Sequence, residues 1–161
     1  MNFVHGFLAL SFGLVLGVSV LLRPFIKDIS KADHEYQVRI GNQIIVAEAV
    51  GSGNERERGL SGRESIGANE GMLFIFEKPD KYGFWMKDME FGIDIVWLKD
   101  YKIVGFTENI DPQIGAKLAD LKVYYPSEPV NMVLEVKAGR TGILGAKIGD
   151  YIKTKPLVFR G

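Results

Sequence analysis

The chain has 161 residues, with 20 Lys and Arg against 20 Asp and Glu, two His and no Cys. That length suits one domain with an appendage, and the apolar and charged fractions are those of an ordinary globular protein. Balanced charge supplies no global field toward nucleic acid or an acidic membrane, and the missing cysteine excludes disulfides, a thiolate nucleophile and any cysteine-based zinc site.

The first segment, Phe3 to Leu22, reads FVHGFLALSFGLVLGVSVLL and holds no charged residue. Roughly 20 apolar residues in helix span a hydrocarbon core. A cleaved signal peptide is the competing reading. No Lys or Arg precedes the run, it exceeds the usual apolar core of about 7–15 residues, and no A-x-A site follows. The segment is therefore expected to be an uncleaved transmembrane anchor over 1–23, with the membrane as its partner. Polar, charged residues 24–35 then read as a juxtamembrane linker, and 36–161 as one β domain. Arg23, Lys27 and Lys31 follow the anchor and nothing basic precedes it. The positive-inside rule taken alone would put the domain in the cytoplasm.

Tyr36 to Ile40 alternates apolar and polar, the period of a half-buried strand. Gly41-Asn42 separates it from Gln43 to Val50, and a Gly-led two-residue loop predicts a II′ hairpin. Ser52-Gly-Asn-Glu55 reads as a capping box opening a short helix from Asn54 to Arg58. Met72 to Phe76 is a continuous apolar run, as in a strand buried on both faces. Pro79-Asp80 reads as a turn, Tyr82 to Met86 as an aromatic strand, and Ile93 to Leu98 and Ile103 to Thr107 as a hairpin through Lys99 to Lys102. Ile110 to Pro129 reads as a long loop with a helical turn near 116–121. Val130 to Val136 alternates again, with Val130, Met132, Leu134 and Val136 on one face and Asn131, Val133 and Glu135 on the other. A short helix within 139–147 and a closing strand over Tyr151 to Thr154 complete the domain. The predicted fold class is mainly β: a small sandwich or barrel of short strands with one or two short helices, preceded by one transmembrane helix.

Several motifs occur in order. They are Arg58-Gly-Leu-Ser-Gly-Arg63, Gly71-Met-Leu-Phe-Ile-Phe76, Phe84-Trp-Met-Lys87, Asp94-Ile-Val, Pro112, Val133-Leu-Glu-Val136 with Ala138-Gly139, and Ile148-Gly-Asp150. With them the chain resembles the DUF192 family, a domain of unknown function, over roughly Gln43 to Ile152. The resemblance implies a compact, mainly β domain found outside the cytoplasm behind a signal peptide or anchor. It implies no reaction, substrate or cofactor. Asp88-Met-Glu-Phe-Gly-Ile stands where the family commonly has a small polar residue and an Ile-Pro-Leu-like stretch, so Gly92 takes the place of a proline.

The histidines, His5 and His34, fall in the anchor and the linker, so the domain has no Ser-His-Asp triad and no histidine metal site. No EF-hand, Walker or GxGxxG pattern is present, and no cofactor is expected. Aromatics are not interleaved with a basic stripe, so no nucleic-acid surface is expected either. Arg58 and Arg63 flank a glycine-rich loop and Lys87 lies beside Trp85. With Asp94 and Glu135, acids in otherwise apolar strands, these six residues are the candidate site, a cationic, aromatic-walled pocket for a small anion or sugar. The plainer reading is that the arginines pair with Asp94 or Glu135 and pin the sheet, while Trp85 or Phe84 serves the core. Asp94 and Glu135 sharing a cavity would instead suit a hydrolase. A structural accessory subunit of a membrane complex would need only an exposed apolar patch.

The family habit places the domain outside the cytoplasm, against the charge rule, and that is the side expected here. A reporter fused to the C-terminus should be active only outside the cytoplasm; cytoplasmic activity reverses the topology.

Overall fold

The computed structural model describes residues 34–157. The predicted anchor and most of the linker lie outside the described residues, and among these no helix is long and apolar enough to cross a membrane.

Strands β1 (Glu35–Ile40) and β2 (Gln43–Val50) pair antiparallel, with Ile40 opposite Gln43. Gly41 takes the positive φ, 55°, that the first central position of a II′ turn needs. The predicted capping box then forms. Glu55 N–H bonds to Ser52 Oγ, and Ser52 N–H donates to the Glu55 carboxylate at 3.0 Å, opening helix α1 (Gly53–Arg58). These bonds, the Ser52 backbone first, hold the Glu55 carboxyl below its ordinary range. The crossover containing α1 delivers β3 (Glu70–Asp80) parallel to β2.

The rest of the chain is antiparallel. Strands β4 (Phe84–Trp85), β5 (Ile93–Lys99), β6 (Lys102–Ile110), β7 (Val123–Tyr124) and β8 (Val130–Lys137) precede helix α2 (Arg140–Leu144) and β9 (Lys153–Pro156). Seven strands form a mixed sheet in the order β6-β5-β8-β3-β2-β1-β9, and β4 pairs with β7 separately. The stretch before β9 reaches back to the β5–β6 hairpin. Ile103 N–H donates to Asp150 O at 2.8 Å, Gly149 N–H to Ile103 O at 2.8 Å and Ile152 N–H to Tyr101 O at 2.9 Å. These bonds join the sheet's two edges and cover backbone groups that would otherwise stay open.

Closure creates two cores. Val38, Ile40, Ile45, Leu73, Val96, Leu98, Met132, Leu134 and Val136 fill the inside of the rolled sheet. Met72, Phe74, Ile93, Ile95, Trp97 and Val133 point outward, where Leu60, Phe84, Met86, Met89 and Phe91 cover them. The outer layer is aromatic, with Phe84 edge-on to Phe74 at 4.9 Å and to Trp97 at 5.5 Å.

The mainly β class and the two short helices agree with the sequence. Four local expectations need correction. The Tyr82–Met86 strand shrinks to the two residues of β4, because its partner β7 is equally short. No turn forms at Pro79-Asp80; β3 runs on to Asp80, with an irregular stretch after Ile75 where proline's missing N–H breaks no ladder bond. Val130 joins the outer core rather than the face of Met132 and Leu134, because β8 meets β3 there across that irregularity. The expected loop from Ile110 to Pro129 has its helical turn at Leu118–Asp120 but also contributes the strand β7, because Val123 and Tyr124 pair with Trp85 and Phe84.

Gly71 marks the tightest approach. A Cβ there would stand 2.6 Å from the Glu135 carbonyl oxygen and 3.2 Å from Ile45 Cγ2. Because the first obstacle is backbone of the neighbouring strand, relief requires β3 and β8 to separate. Gly71→Ala should destabilise the domain by about 1–3 kcal/mol, read as a lower denaturant midpoint. An unchanged midpoint would show that the two strands are not packed this closely.

Candidate functional site

The six sequence-predicted residues fall into three places. Asp94 is fully buried on β5, opposite Val136 of β8, and therefore faces the inside of the sheet. Its carboxylate accepts from Asn109 N–H at 2.7 Å, Thr141 N–H at 2.9 Å and the Thr141 hydroxyl at 2.8 Å. It ties the end of β6 and the start of α2 to β5. Asp94 is fold architecture, although its partners are backbone and hydroxyl groups rather than an arginine.

Arg63 is a pin with a different partner from those expected. Its guanidinium meets Glu48 of β2 at 2.7 Å, half-exposed, and neither Asp94 nor Glu135. An ion pair so open to water contributes at most about 1 kcal/mol. Lys87 lies 3.9 Å from Asp88, in an exposed turn where Asp88 takes a positive φ. The neighbouring glycine-rich loop is fastened to that turn by Ser61 Oγ–H to Lys87 O and Gly62 N–H to Asp88 O.

Arg58, Trp85 and Glu135 do come together. They line one cleft of about 220 Å³ on the outer face, between α1, the loop after it, and β3, β4 and β8. Glu135 sits opposite Ile95 and Met72, so alternation sends it outward, away from Asp94. The two carboxylates lie on opposite faces of the same sheet. They share no cavity, and the hydrolase pair has no geometric basis.

Glu135 is 5 % exposed. Among the described residues no group donates a hydrogen bond to it and no cation pairs with it. Burial alone pushes its carboxyl up to about 8. The walls are Phe74, Phe76, Tyr82, Phe84 and Trp85. Phe84 belongs to the core, whereas Trp85 is 39 % exposed at the mouth. Phe76 and Tyr82 stack at 3.6 Å, and the Arg56 guanidinium lies over Phe76 at 5.0 Å. Arg56 is further held by the carbonyl of Gly51. Arg58 lines the cleft with an exposed guanidinium that pairs with no described residue.

Sequence reasoning missed Arg56, Phe76 and Tyr82 as cleft residues. The charge run of α1 reads as a solvated face, and nothing local indicates that α1 folds over β3. It also missed Arg140, which is 8 % exposed and pairs with no carboxylate among the described residues. Its Nη2 donates to Asn69 and Gln43, while among the described residues Nε has no partner.

A mainly β domain with a mixed seven-stranded sheet and an aromatic cleft is thus the class of protein that fold and site define. Residues 36–154 match the family model of DUF192, described as "Uncharacterized ACR", and the chain belongs to that family. No curated protein matches it. Among solved structures it is similar to a protein from Sinorhizobium meliloti 1021, provisionally described as a transcription regulator. That likeness has 27 % identity and a TM-score of 0.65, over 74 % of this chain and 92 % of the other. It is also similar to a protein of unknown function from Novosphingobium aromaticivorans DSM 12444, with 26 % identity, a TM-score of 0.65, and 74 % and 83 % covered.

The buried carboxyl has a consequence for stability. Its folded pKa lies above the unfolded value near 4.5, so the native state holds a proton that the unfolded state releases. Its contribution is most favourable below about pH 4.5, falls as pH rises, and is lost once pH passes about 8. The difference amounts to a few kcal/mol. Glu135→Gln keeps the shape and removes the proton, so the variant should melt progressively higher than wild type between pH 5 and 9. Parallel pH profiles would show that Glu135 is not buried uncompensated.

Proposed function

We propose that this domain binds a small organic molecule in the outer cleft, and that it does so at the cell envelope. One observation carries the reading: Glu135 is a buried, unpartnered carboxyl opening into an aromatic-walled cleft. A buried polar group without a partner costs stability. Such a group at the base of a concavity is a recognised mark of a binding site. Arg58 and Trp85 at the cleft complete the ligand-facing set, while Arg63, Lys87 and Asp94 serve the frame. Attachment through Phe3 to Leu22, with the domain outside the cytoplasm, rests on the uncharged run and on the habit of the family. Transcription regulation, the role given provisionally to the Sinorhizobium protein, is not part of this reading, because acids and bases balance and no basic stripe is seen in the sequence.

A second surface favours a docking role. Ile114 and Leu118 are 81 % and 63 % exposed and line an open groove with Lys87, Asp88 and Glu90. This is the kind of apolar surface that an accessory subunit would place against a partner.

The cleft reading predicts that a thermal-shift screen of the full chain against sugars, amines and small acids finds a stabilising class. A ligand at a hundred times its Kd adds about 2.7 kcal/mol. Trp85→Ala and Glu135→Gln should each cut that shift to about half or less. Hits that stabilise wild type and both variants equally would remove the cleft from consideration.

A further inference from the structure

We propose that the cleft is built for a small zwitterion, with its ammonium end inside against Glu135 and its anionic end outside on Arg58. This rests on the small-molecule reading above and names the ligand's chemistry.

The argument begins with what the floor lacks. Glu135 is the polar side chain there, and its neighbours Phe74, Phe84 and Met89 are apolar. Ser61, also on the lining, spends its hydroxyl proton on the Lys87 carbonyl at 2.7 Å. Tyr82 gives its own to the Lys78 carbonyl at 2.8 Å. A sugar brings hydroxyls all round its ring, and most would be left unpaired against these rings at a cost for each. A sugar therefore fits the mouth better than the floor. A small anion fits the floor worse still, because Glu135 would repel it when ionised and could offer one hydrogen bond when neutral.

An organic ammonium has the opposite character. It carries one charge on a largely hydrocarbon surface, and aromatic faces attract such a group electrostatically. Glu135 supplies the counter-charge, and among the described residues no cation already neutralises it. Nothing else on the floor needs satisfying. Burial of the carboxyl and the aromatic walls thus point to the same head group.

Charge near the mouth selects the other end. Arg56 is engaged with Phe76 and with backbone carbonyls, whereas Arg58 is exposed and pairs with none of the described residues. Arg56 and Arg58 outnumber Glu57 on this lining, so a bare cation meets a net positive mouth. A ligand that also carries a carboxylate offers Arg58 a charge-assisted bond. The cleft, about 220 Å³, lies below the usual range for drug-sized ligands, roughly 300–1,000 Å³. A molecule the size of an amino acid or a betaine fits; a nucleotide does not.

Protonation provides an independent readout. Glu135 holds its proton near neutrality, its carboxyl being raised to about 8. Seating an ammonium there favours the carboxylate, so the proton leaves to the buffer as the ligand enters. A neutral ligand would displace none. The other ionisable side chains lining the cleft are Arg56, Glu57, Arg58 and Tyr82, and Glu135→Gln isolates the contribution of Glu135 from theirs.

The test is calorimetric titration of the full chain at pH 7 with glycine betaine, choline, glucose and acetate, each in two buffers of different ionisation enthalpy. Glycine betaine should bind best, with proton release that disappears in Glu135→Gln. That variant, isosteric and checked for folding by its melt, should weaken betaine by about tenfold or more, and Arg58→Ala by roughly threefold to tenfold. Choline should be weaker than betaine and should bind somewhat better, not worse, in Arg58→Ala. Glucose or acetate binding in the cleft without betaine would overturn the zwitterion while leaving the small-molecule reading intact. Betaine binding with no proton release, or unaffected by both variants, would also overturn it. Silence from all four probes, with no hit in the wider screen, would overturn both readings together.

Discussion

Everything in this domain depends on the burial of β3, β5 and β8 on both faces. These three adjacent strands line the inside of the rolled sheet with Leu73, Val96, Leu98, Leu134 and Val136. The same strands support the aromatic layer with Met72, Phe74, Ile95, Trp97 and Val133. A strand used twice cannot send a polar side chain to water on either face. Any acid placed on it must find partners inside the protein or stay without them. Asp94 and Glu135 are the two acids that these strands bury, and they show both outcomes. Asp94 is satisfied by two backbone N–H groups and a hydroxyl, whereas Glu135 has no donor among the described residues.

The difference follows from what covers each face. Asp94 lies near the start of β5, where β6 finishes and α2 begins, so the ends of those elements bring N–H groups toward it. Glu135 is ringed by side chains at the base of the cleft. Leu60, Phe84 and Met89 arrive with apolar atoms, and the nearby loop spends the Ser61 hydroxyl and the Gly62 N–H on the carbonyls of Lys87 and Asp88. One sheet therefore holds a structural acid and an open acid on adjacent strands, one register position apart and on opposite sides.

How much of this was legible in the sequence depended on the range of the interaction. The β1–β2 hairpin, the capping box of α1 and the uninterrupted apolar run of β3 are governed by neighbours within a few positions, and residue pattern specifies them. Glu135 was visible as an acid in an apolar strand, and alternation already set it with Val133. What the pattern could not supply was the register of β8 against β5. Pairing Glu135 with Ile95 rather than with Asp94 puts the two acids on opposite faces, and a shift by one residue would have put them together. The partner of Arg63 was invisible for the same reason, since Glu48 comes near it only through the parallel crossover. Arg56 and Tyr82 became cleft residues only because α1 folds back over β3, which no local signal encodes.

Local rules and global fold agree nearly everywhere in this chain, and the exceptions then carry information. A leucine or methionine at 135 would fill the same space and avoid the cost of burying a carboxyl. The fold does not need Glu135 for register, because Val133, Leu134 and Val136 already fix which faces of β8 are buried. Nor does the acid neutralise the other buried charge, Arg140, which is held by the amides of Asn69 and Gln43. The feature that answers to Glu135 is the cleft itself, which leaves room above the carboxyl instead of closing over it. A stability cost maintained beside an opening, in a domain otherwise well satisfied, is the pattern expected of a group kept for what it meets from outside.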